Sequence, residues 1–162
     1  MIRALPAAGL GVTALAAALA FALDQITKWW ILGPLDLRAV GILDIWPPFL
    51  RFTMAWNTGA NFGLGADMGR DVWIGLALAI SLALLVWSTR MRSSWRRAAV
   101  GMLIGGALGN ALDRALHGAV VDFLNMSCCG FHNPYAFNLA DVFIFAGAAG
   151  LILLDGSDNQ SV

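Results

Sequence analysis

Charge is scarce in this chain: only 12% of its 162 residues are Asp, Glu, Lys or Arg, while 59% are apolar, and mean hydropathy is +0.73. Soluble domains of average composition run at about 25% charged and about 45–50% apolar. The surplus needs lipid to face, which excludes an ordinary water-soluble domain. Ten basic residues balance ten acidic ones, with no basic tract. Binding to a phosphate backbone needs clustered positive charge in excess, so no nucleic-acid partner is expected. Cysteine is nearly missing. Cys128 and Cys129 are adjacent, and neighbours rarely bridge because the ring they would close is strained, so no disulfide framework or redox compartment follows. Together with His117 and His132 they match none of the usual zinc spacings, and neither a metal nor another cofactor is expected. Internal repeats and low-complexity linkers are missing too, which leaves one domain over 1–162.

What the chain does have is four apolar stretches, 5–23, 72–89, 98–116 and 136–154. At about 1.5 Å rise per residue, nineteen residues cover most of a hydrocarbon core of about 30 Å. The third stretch completes that length only by including Asp113 and Arg114. The first has features of a secretory signal peptide, with Arg3 at its start and small residues near Ala18 to Ala22. It is longer than a typical signal core, however, it runs on through Ile26, Trp29, Trp30, Ile31 and Leu32, and three more spans follow. The expectation is an uncleaved first helix in an all-α membrane protein, a bundle of four transmembrane helices.

Arg90, Arg92, Arg96 and Arg97 crowd the short loop between spans two and three with no acid among them, which assigns that loop to the cytoplasm. Both termini then fall inside, and segments 33–71 and 117–135 fall outside. The tryptophans agree: Trp29, Trp30, Trp46, Trp56 and Trp73 gather at the outer interface, Trp87 and Trp95 at the inner one. The outer segment is more than a linker. Strand-forming residues run over 49–56 and Asn57-Thr58-Gly59 follows as a turn, so a small extracytoplasmic sheet is expected. In span three, Gly101, Gly105 and Gly109 line one helix face, read here as packing that lets another backbone approach.

Ionisable groups beside lipid are costly and each needs a reason. Asp24 and Lys28 lie four apart on one face near the outer end of span one. Asn110, Asp113 and Arg114 lie at the outer end of span three, Asp122 follows between apolar neighbours, and Asn138 and Asp141 open span four. Taken singly, Asp141 reads as a first-turn acid with Asn138 as cap, and Asp24 as a partner of Lys28. Taken together they converge on the outer rim. Two aspartates at one low-dielectric spot cannot both ionise cheaply, so one keeps a proton and serves as acid while the other serves as base toward water. Binding or relay of a cation or proton by Asp24, Asp122 and Asp141 is the competing reading, weakened by the lack of a broken-helix pair at mid-membrane. A further alternative is a binding module without catalysis.

The blocks from Gly105 to Arg114, Val120-Val121-Asp122-Phe123 and Phe137-Asn138-Leu139-Ala140-Asp141 resemble the signature of the lipoprotein signal peptidase family, signal peptidase II. Asp24-Gln25-Ile26-Thr27-Lys28 and Asn57-Thr58-Gly59-Ala60-Asn61-Phe62-Gly63 resemble its two upstream motifs, so the likeness covers nearly the whole chain. The resemblance implies an aspartyl endopeptidase at the outer face of the bacterial cytoplasmic membrane. Its substrate would be a diacylglyceryl-modified prolipoprotein, cut before the lipidated cysteine, and its other partner membrane lipid. A monomer is expected. Asp122 and Asp141 match the family's catalytic pair. Asn57, Gly59, Asn110, Arg114, Asn138 and Ala140 match positions that bind substrate or support the pair, and Asp24 and Lys28 match supporting positions. The family's small extracytoplasmic sheet, which cradles substrate, agrees with the strand expected over 49–56. Asn61 departs from the small residue common in the family there, and the Cys128-Cys129 pair is no part of the pattern.

The arginine loop makes the topology testable. A reporter fused after Arg92 is expected to read cytoplasmic, and one placed within 41–48 to read exterior; the opposite pair of readings would invert the orientation.

Overall fold

Long apolar runs without proline become helices here, and their boundaries are set by polar residues that find partners. The computed structural model describes residues 7–59 and 65–158. Ala7–Leu32 form helix α1, Leu37–Val40 the single turn α2, Arg70–Ser88 α3, Ser94–His117 α4 and Leu139–Asp158 α5; three strands, β1 (Ile42–Trp46), β2 (Leu50–Asn57) and β3 (Val120–Met126), and a short 3-10 turn (Ala66–Met68) are the other elements among the described residues. The architecture is mostly helical, with one small antiparallel sheet in the order β1-β2-β3.

The central helix is α4, against which α1, α3 and α5 all pack. It is also the least apolar of the four long helices. Both facts have one cause: its small and polar residues point at other helices, whereas Leu15, Leu19, Leu78, Leu82, Phe145, Ile152 and Leu153 on the outer three are each more than half exposed. An apolar surface of that extent is what a lipid-facing bundle presents. The expectation of four apolar spans is only partly met. Leu10–Leu32 and Arg70–Ser88 are long and apolar enough to cross a bilayer, while the apolar part of α5, Leu139–Leu154, is shorter.

Helix α4 begins at Ser94, four residues before the expected 98, α5 runs to Asp158 rather than 154, and two further boundaries differ in ways that bear on the site. The first helix continues past residue 23 to Leu32, so Asp24 and Lys28 lie inside it. They do not end it because the two side chains pair with each other at 2.8 Å along one buried face. The last helix starts at Leu139 and not at 136, because Phe137 forms a bridge with Leu124: its N–H donates to Leu124 O at 2.9 Å and its carbonyl accepts from Leu124 N at 2.8 Å. The strand expected over 49–56 is present one residue later as β2. Strands β1 and β3 were not anticipated. Residues 1–6, 60–64 and 159–162, and with them Asn61, lie outside the described residues.

Glycine positions set the spacing of the helices. A Cβ built on Gly101 would meet Thr13 O at 2.5 Å and Ala16 Cβ at 2.6 Å, and one on Gly105 would meet the carbonyl oxygen of Ala17 and Ala20 Cβ, the latter at 2.8 Å. On the neighbouring face, a Cβ on Gly106 would meet Ala140 O at 2.5 Å. Only glycine permits this approach of backbone to backbone. Gly105→Ala is therefore expected to cost about 1–3 kcal/mol by forcing α1 and α4 apart. Gly75→Ala, at a position with nothing within 4 Å, is expected to be neutral or stabilising by up to about 1 kcal/mol. Thermal unfolding of the two variants in the same detergent checks the contrast, and equal shifts would contradict it.

Candidate functional site

At one end of the bundle, four elements deliver polar side chains to a common interior: the last turns of α1 and α4, the first turn of α5, and β3. Asp24, Asp113, Asp122, Asn138 and Asp141 are all at most 3% exposed, as is Lys28. Such groups persist in an apolar interior only when each is partnered.

The partners form two connected halves. In the first, the Lys28 ammonium lies 2.8 Å from Asp24 Oδ2 and 2.7 Å from Asp113 Oδ2, and donates to Asn110 Oδ1 at 3.3 Å. Gln25 Nε2 adds donations to Asp24 Oδ2 at 3.1 Å and Asp113 Oδ1 at 3.2 Å. Both carboxylates also reach outward to backbone N–H groups of other elements. Asp24 Oδ1 accepts from Ala140 N at 2.9 Å, satisfying an N–H that the start of a helix leaves without an intrahelical partner. Asp113 Oδ2 accepts from Val121 N at 3.1 Å, fixing the strand residue next to Asp122.

In the second half, Asn138 Nδ2 donates to Asp122 Oδ1 at 2.7 Å and to Asn110 Oδ1 at 3.0 Å, while Asn110 Nδ2 donates to Asp141 Oδ1 at 3.0 Å. Asp141 N donates to Asn138 Oδ1 at 3.0 Å and Asn138 N to Asp141 Oδ2 at 3.3 Å. That reciprocal pair is a capping box at the start of α5. The cap expected of Asn138 is thus present, and Asp141 belongs at the same time to the polar network. Asn110 and Asn138 together link the two aspartates.

Asp122 owes its place to register. It faces Ala55 across the β2–β3 ladder, which places Asn57 on the same face two residues along β2, close enough to hydrogen-bond its carboxyl. Burial pushes the Asp122 carboxyl up to about 7, and the nearby Asp141 charge adds to the effect, against the hydrogen bonds from Asn57 and Asn138 and the Lys28 charge. A cleft of about 200 Å³ opens on Asp122 between Ala55, Asn57 and Thr58 on one side and Pro134, Tyr135 and Ala136 on the other. Asn125 shapes its second wall, donating through Nδ2 to Asn133 O at 2.7 Å and Tyr135 O at 2.8 Å.

Arg114 closes the group. Its Nη1 donates to Asn110 O at 3.2 Å and its Nη2 to Gly59 O, and its guanidinium lies 5.7 Å from the Trp73 ring centroid. Gly59 N in turn donates to Asn57 Oδ1 at 3.2 Å, the turn expected after β2. Every site residue expected from sequence, Asp24, Lys28, Asn57, Gly59, Asn110, Arg114, Asp122, Asn138, Ala140 and Asp141, therefore lies in or beside one network. Ala140 takes part through its backbone alone.

Asp113 and Gln25 were not assigned to the site, although Asp113 holds both Lys28 and β3. Helical spacing was the available signal: Asp113 falls three residues after Asn110 and four after Gly109, on the face turned toward Lys28. Gly109 was read as packing alone, but a Cβ there would come within 2.6 Å of Asp24 Oδ2, so its lack of a side chain makes room for the carboxylate. Cys128 and Cys129 are free and exposed, while the ring of His117 lies 5.8 Å from that of Trp56.

Removing the ammonium tests the first half. Lys28→Met leaves Asp24 and Asp113 buried without a cation and is expected to cost about 3–5 kcal/mol. Adding Asp24→Asn to Lys28→Met removes one of the two stranded charges and is expected to recover part of the loss in thermal unfolding. A Lys28→Met protein as stable as the parent would show that the ammonium does not hold the cluster.

Residues 16–155 match the family model for signal peptidase II. The chain is 41% identical over 146 residues to the lipoprotein signal peptidase of Methylorubrum extorquens strain PA1, covering 88% of this chain and 83% of that protein. Over 143 residues it is 43% identical to that of Shewanella loihica, covering 85% and 81%. Two solved bacterial membrane enzyme structures, obtained by the in meso method, superpose with TM-scores of 0.78 and 0.74, each at 29% identity. The first covers 93% of this chain and 90% of its own, the second 89% and 92%. With a family match across most of its length, a fold shared with membrane enzymes and relatives above 40% identity, this chain belongs to the signal peptidase II family.

Proposed function

We propose that the protein is an aspartyl endopeptidase that removes the signal peptide of a diacylglyceryl-modified prolipoprotein by cutting before the lipidated cysteine. One observation carries this reading: Asp122 and Asp141, brought from a strand and a helix, are both buried and are joined through Asn110 and Asn138. The cleft beside Asp122 would take the extended peptide. Its acyl chains would stay in the lipid that surrounds the helices.

The chemistry follows from the charge balance. Four buried carboxyls, of Asp24, Asp113, Asp122 and Asp141, meet two cations, Lys28 and Arg114, and Lys28 is already engaged by Asp24 and Asp113. The surplus falls on Asp122 and Asp141, where a shared proton relieves it. Asp122, held near 7, carries that proton and gives it to the scissile carbonyl. Asp141 takes a proton from water, whose oxygen bonds to the carbonyl carbon. Collapse of the tetrahedral species breaks the C–N bond as the proton from Asp141 moves to the leaving amine, and Asp122 takes back a proton from one of the two hydroxyls, which leaves a carboxylic acid and restores the pair. Asn110 and Asn138 keep the two carboxyls in register. Arg114, bonded to the carbonyls of Asn110 and Gly59, keeps the turn that bears Asn57 against α4.

The same reading has all four long helices crossing the bacterial inner membrane, the sheet and site at the outer face, the arginine loop and both termini inside, and a monomeric enzyme in lipid. A cation-binding role for the acids is disfavoured, since the Lys28 ammonium already occupies the point where Asp24 and Asp113 meet.

Incubation with a lipidated prolipoprotein, followed by the mass of the product, tests the proposal. Asp122→Asn and Asp141→Asn are each expected to lower cleavage at least 100- to 10,000-fold, the usual range of general acid–base contributions, and the double variant to be hardly slower than either. All three are expected to fold and to bind a substrate-mimicking inhibitor. Activity is expected to fall as pH rises through about 7, where Asp122 loses its proton, and to fall again in acid as the pair takes up a second one; the apparent values belong to the pair. Near-normal cleavage by either folded single variant would falsify the two-aspartate mechanism.

A further inference from the structure

At the end of the bundle away from the site, a second cavity of about 480 Å³ opens where α3, the 89–93 loop, α4 and α5 meet. Arg90, Arg92 and Arg96 line it together with Trp87, Leu151 and Ile152. Its size falls within the usual range of about 300–1,000 Å³ for ligand sites. The lining is split by chemistry, with guanidinium groups at the loop and apolar side chains toward the helices. Its frame is also fixed. Arg96 Nη2 donates to Leu154 O at 3.0 Å, joining α4 to α5, and Arg97 Nη2 donates to Met91 O at 2.5 Å, holding the loop. Ser93 caps α4 by accepting from Arg96 N at 3.5 Å. The positive end of that helix dipole therefore faces the same region, with no acid in the first turn of α4.

A second hollow of about 480 Å³ runs up α3 from this point, lined by Ala79, Leu82, Ala83 and Val86, and it shares Trp87 and Arg90 with the first. From Ala79 to Val86 the helix rises by roughly 10 Å. The surface thus offers a basic, walled cavity continuous with an apolar groove that points along a lipid-facing helix. A soluble anion would use the cavity and leave the groove empty. An amphiphile with a phosphodiester head and acyl tails uses both.

We propose that this surface is a binding site for one anionic phospholipid of the bilayer, with its phosphate among Arg90, Arg92 and Arg96 and an acyl chain along Ala79–Val86. The inference rests on the membrane-spanning reading of α3 and is independent of the peptidase chemistry. Polybasic segments next to a bilayer attract anionic lipids in general; the preformed cavity and its groove add a defined place for one.

The test is thermal unfolding of the purified full chain in detergent, with phosphatidylglycerol, phosphatidylcholine or inorganic phosphate added. Phosphatidylglycerol at about 100 times its Kd is expected to raise Tm by roughly 5 °C or more, and the other two to leave it unchanged. Arg90→Gln with Arg92→Gln removes charge at the head site, and Ala83→Trp fills the groove without changing charge. Each is expected to abolish most of the phosphatidylglycerol shift. Cleavage of a lipidated prolipoprotein, measured on the same samples, is expected to persist in both variants, so loss of the lipid shift and failure of the peptidase reading are separate results. Equal stabilisation by phosphatidylcholine, the whole effect from inorganic phosphate, or an undiminished shift in both variants would overturn the proposal. If the arginine variant does not fold, Ala83→Trp alone decides it.

Discussion

Everything at the polar end of this bundle hangs on one ammonium group. Lys28 bridges Asp24 of its own helix and Asp113 of α4, and each of these carboxylates holds a further element by a backbone N–H: Ala140 at the start of α5 and Val121 in β3. Four elements, α1, α4, β3 and α5, are thereby fixed around one buried charge. The cost of placing ions in an apolar interior is offset because both oxygens of Asp24 and of Asp113 have donors. The same property makes the cluster unforgiving, since a missing partner strands a charge that cannot reach water.

The arrangement divides labour between two pairs of aspartates. Asp24 and Asp113 are paired with a cation and serve as struts, whereas Asp122 and Asp141 take their hydrogen bonds from amides of Asn57, Asn110 and Asn138 and feel the Lys28 and Arg114 charges without pairing with them. Amides orient a carboxyl without supplying a full charge. Burial, with the Asp141 charge beside it, raises the Asp122 carboxyl to about 7, and the amide hydrogen bonds only partly oppose that rise. Asp141 belongs at once to the cap of a helix and to the polar network. Its Oδ2 accepts from the Asn138 N–H in the cap of α5, and its Oδ1 accepts from Asn110. The cap fixes the carboxyl to the first turn of a helix, a far stiffer mount than a loop.

Much of this was legible in the sequence, and the failures have physical reasons. Apolar length revealed the helices, and the isolated charges at their ends revealed most of the polar cluster. The first span was bounded at 23, before its first charge, although the apolar stretch was read as running on to Leu32, where α1 does end; an i,i+4 pair buried against another helix lets the helix continue. Strand β3 escaped notice because five of its seven residues are buried, on both faces. A strand covered on both sides loses the alternation by which strands are read. Asp113 was seen but left without a role, since its partner Lys28 lies 85 positions away and only the packing of α1 on α4 brings them together.

That packing and the polar site are parts of one stripe. Gly101, Gly105, Gly109 and Asp113 follow each other at a spacing of four along α4, and the facing side of α1 carries Thr13, Ala17, Ala20, Asp24 and Lys28. Over the first two glycines the helices meet backbone to backbone. At Gly109 the space left by the missing side chain is taken by the carboxylate of Asp24, and at Asp113 the contact becomes an ion pair. Close approach below is what allows it, because helices held apart by ordinary side chains would put Lys28 out of reach of Asp113. Small residues thus set a distance that the charged residues, one turn further on, then use. The depth of the site follows as well: from Arg96 to Asp113, α4 rises by roughly 25 Å, most of a hydrocarbon core of about 30 Å. The arginines at the start of α4 and the polar cluster at its end are thus held a fixed distance apart by one continuous helix.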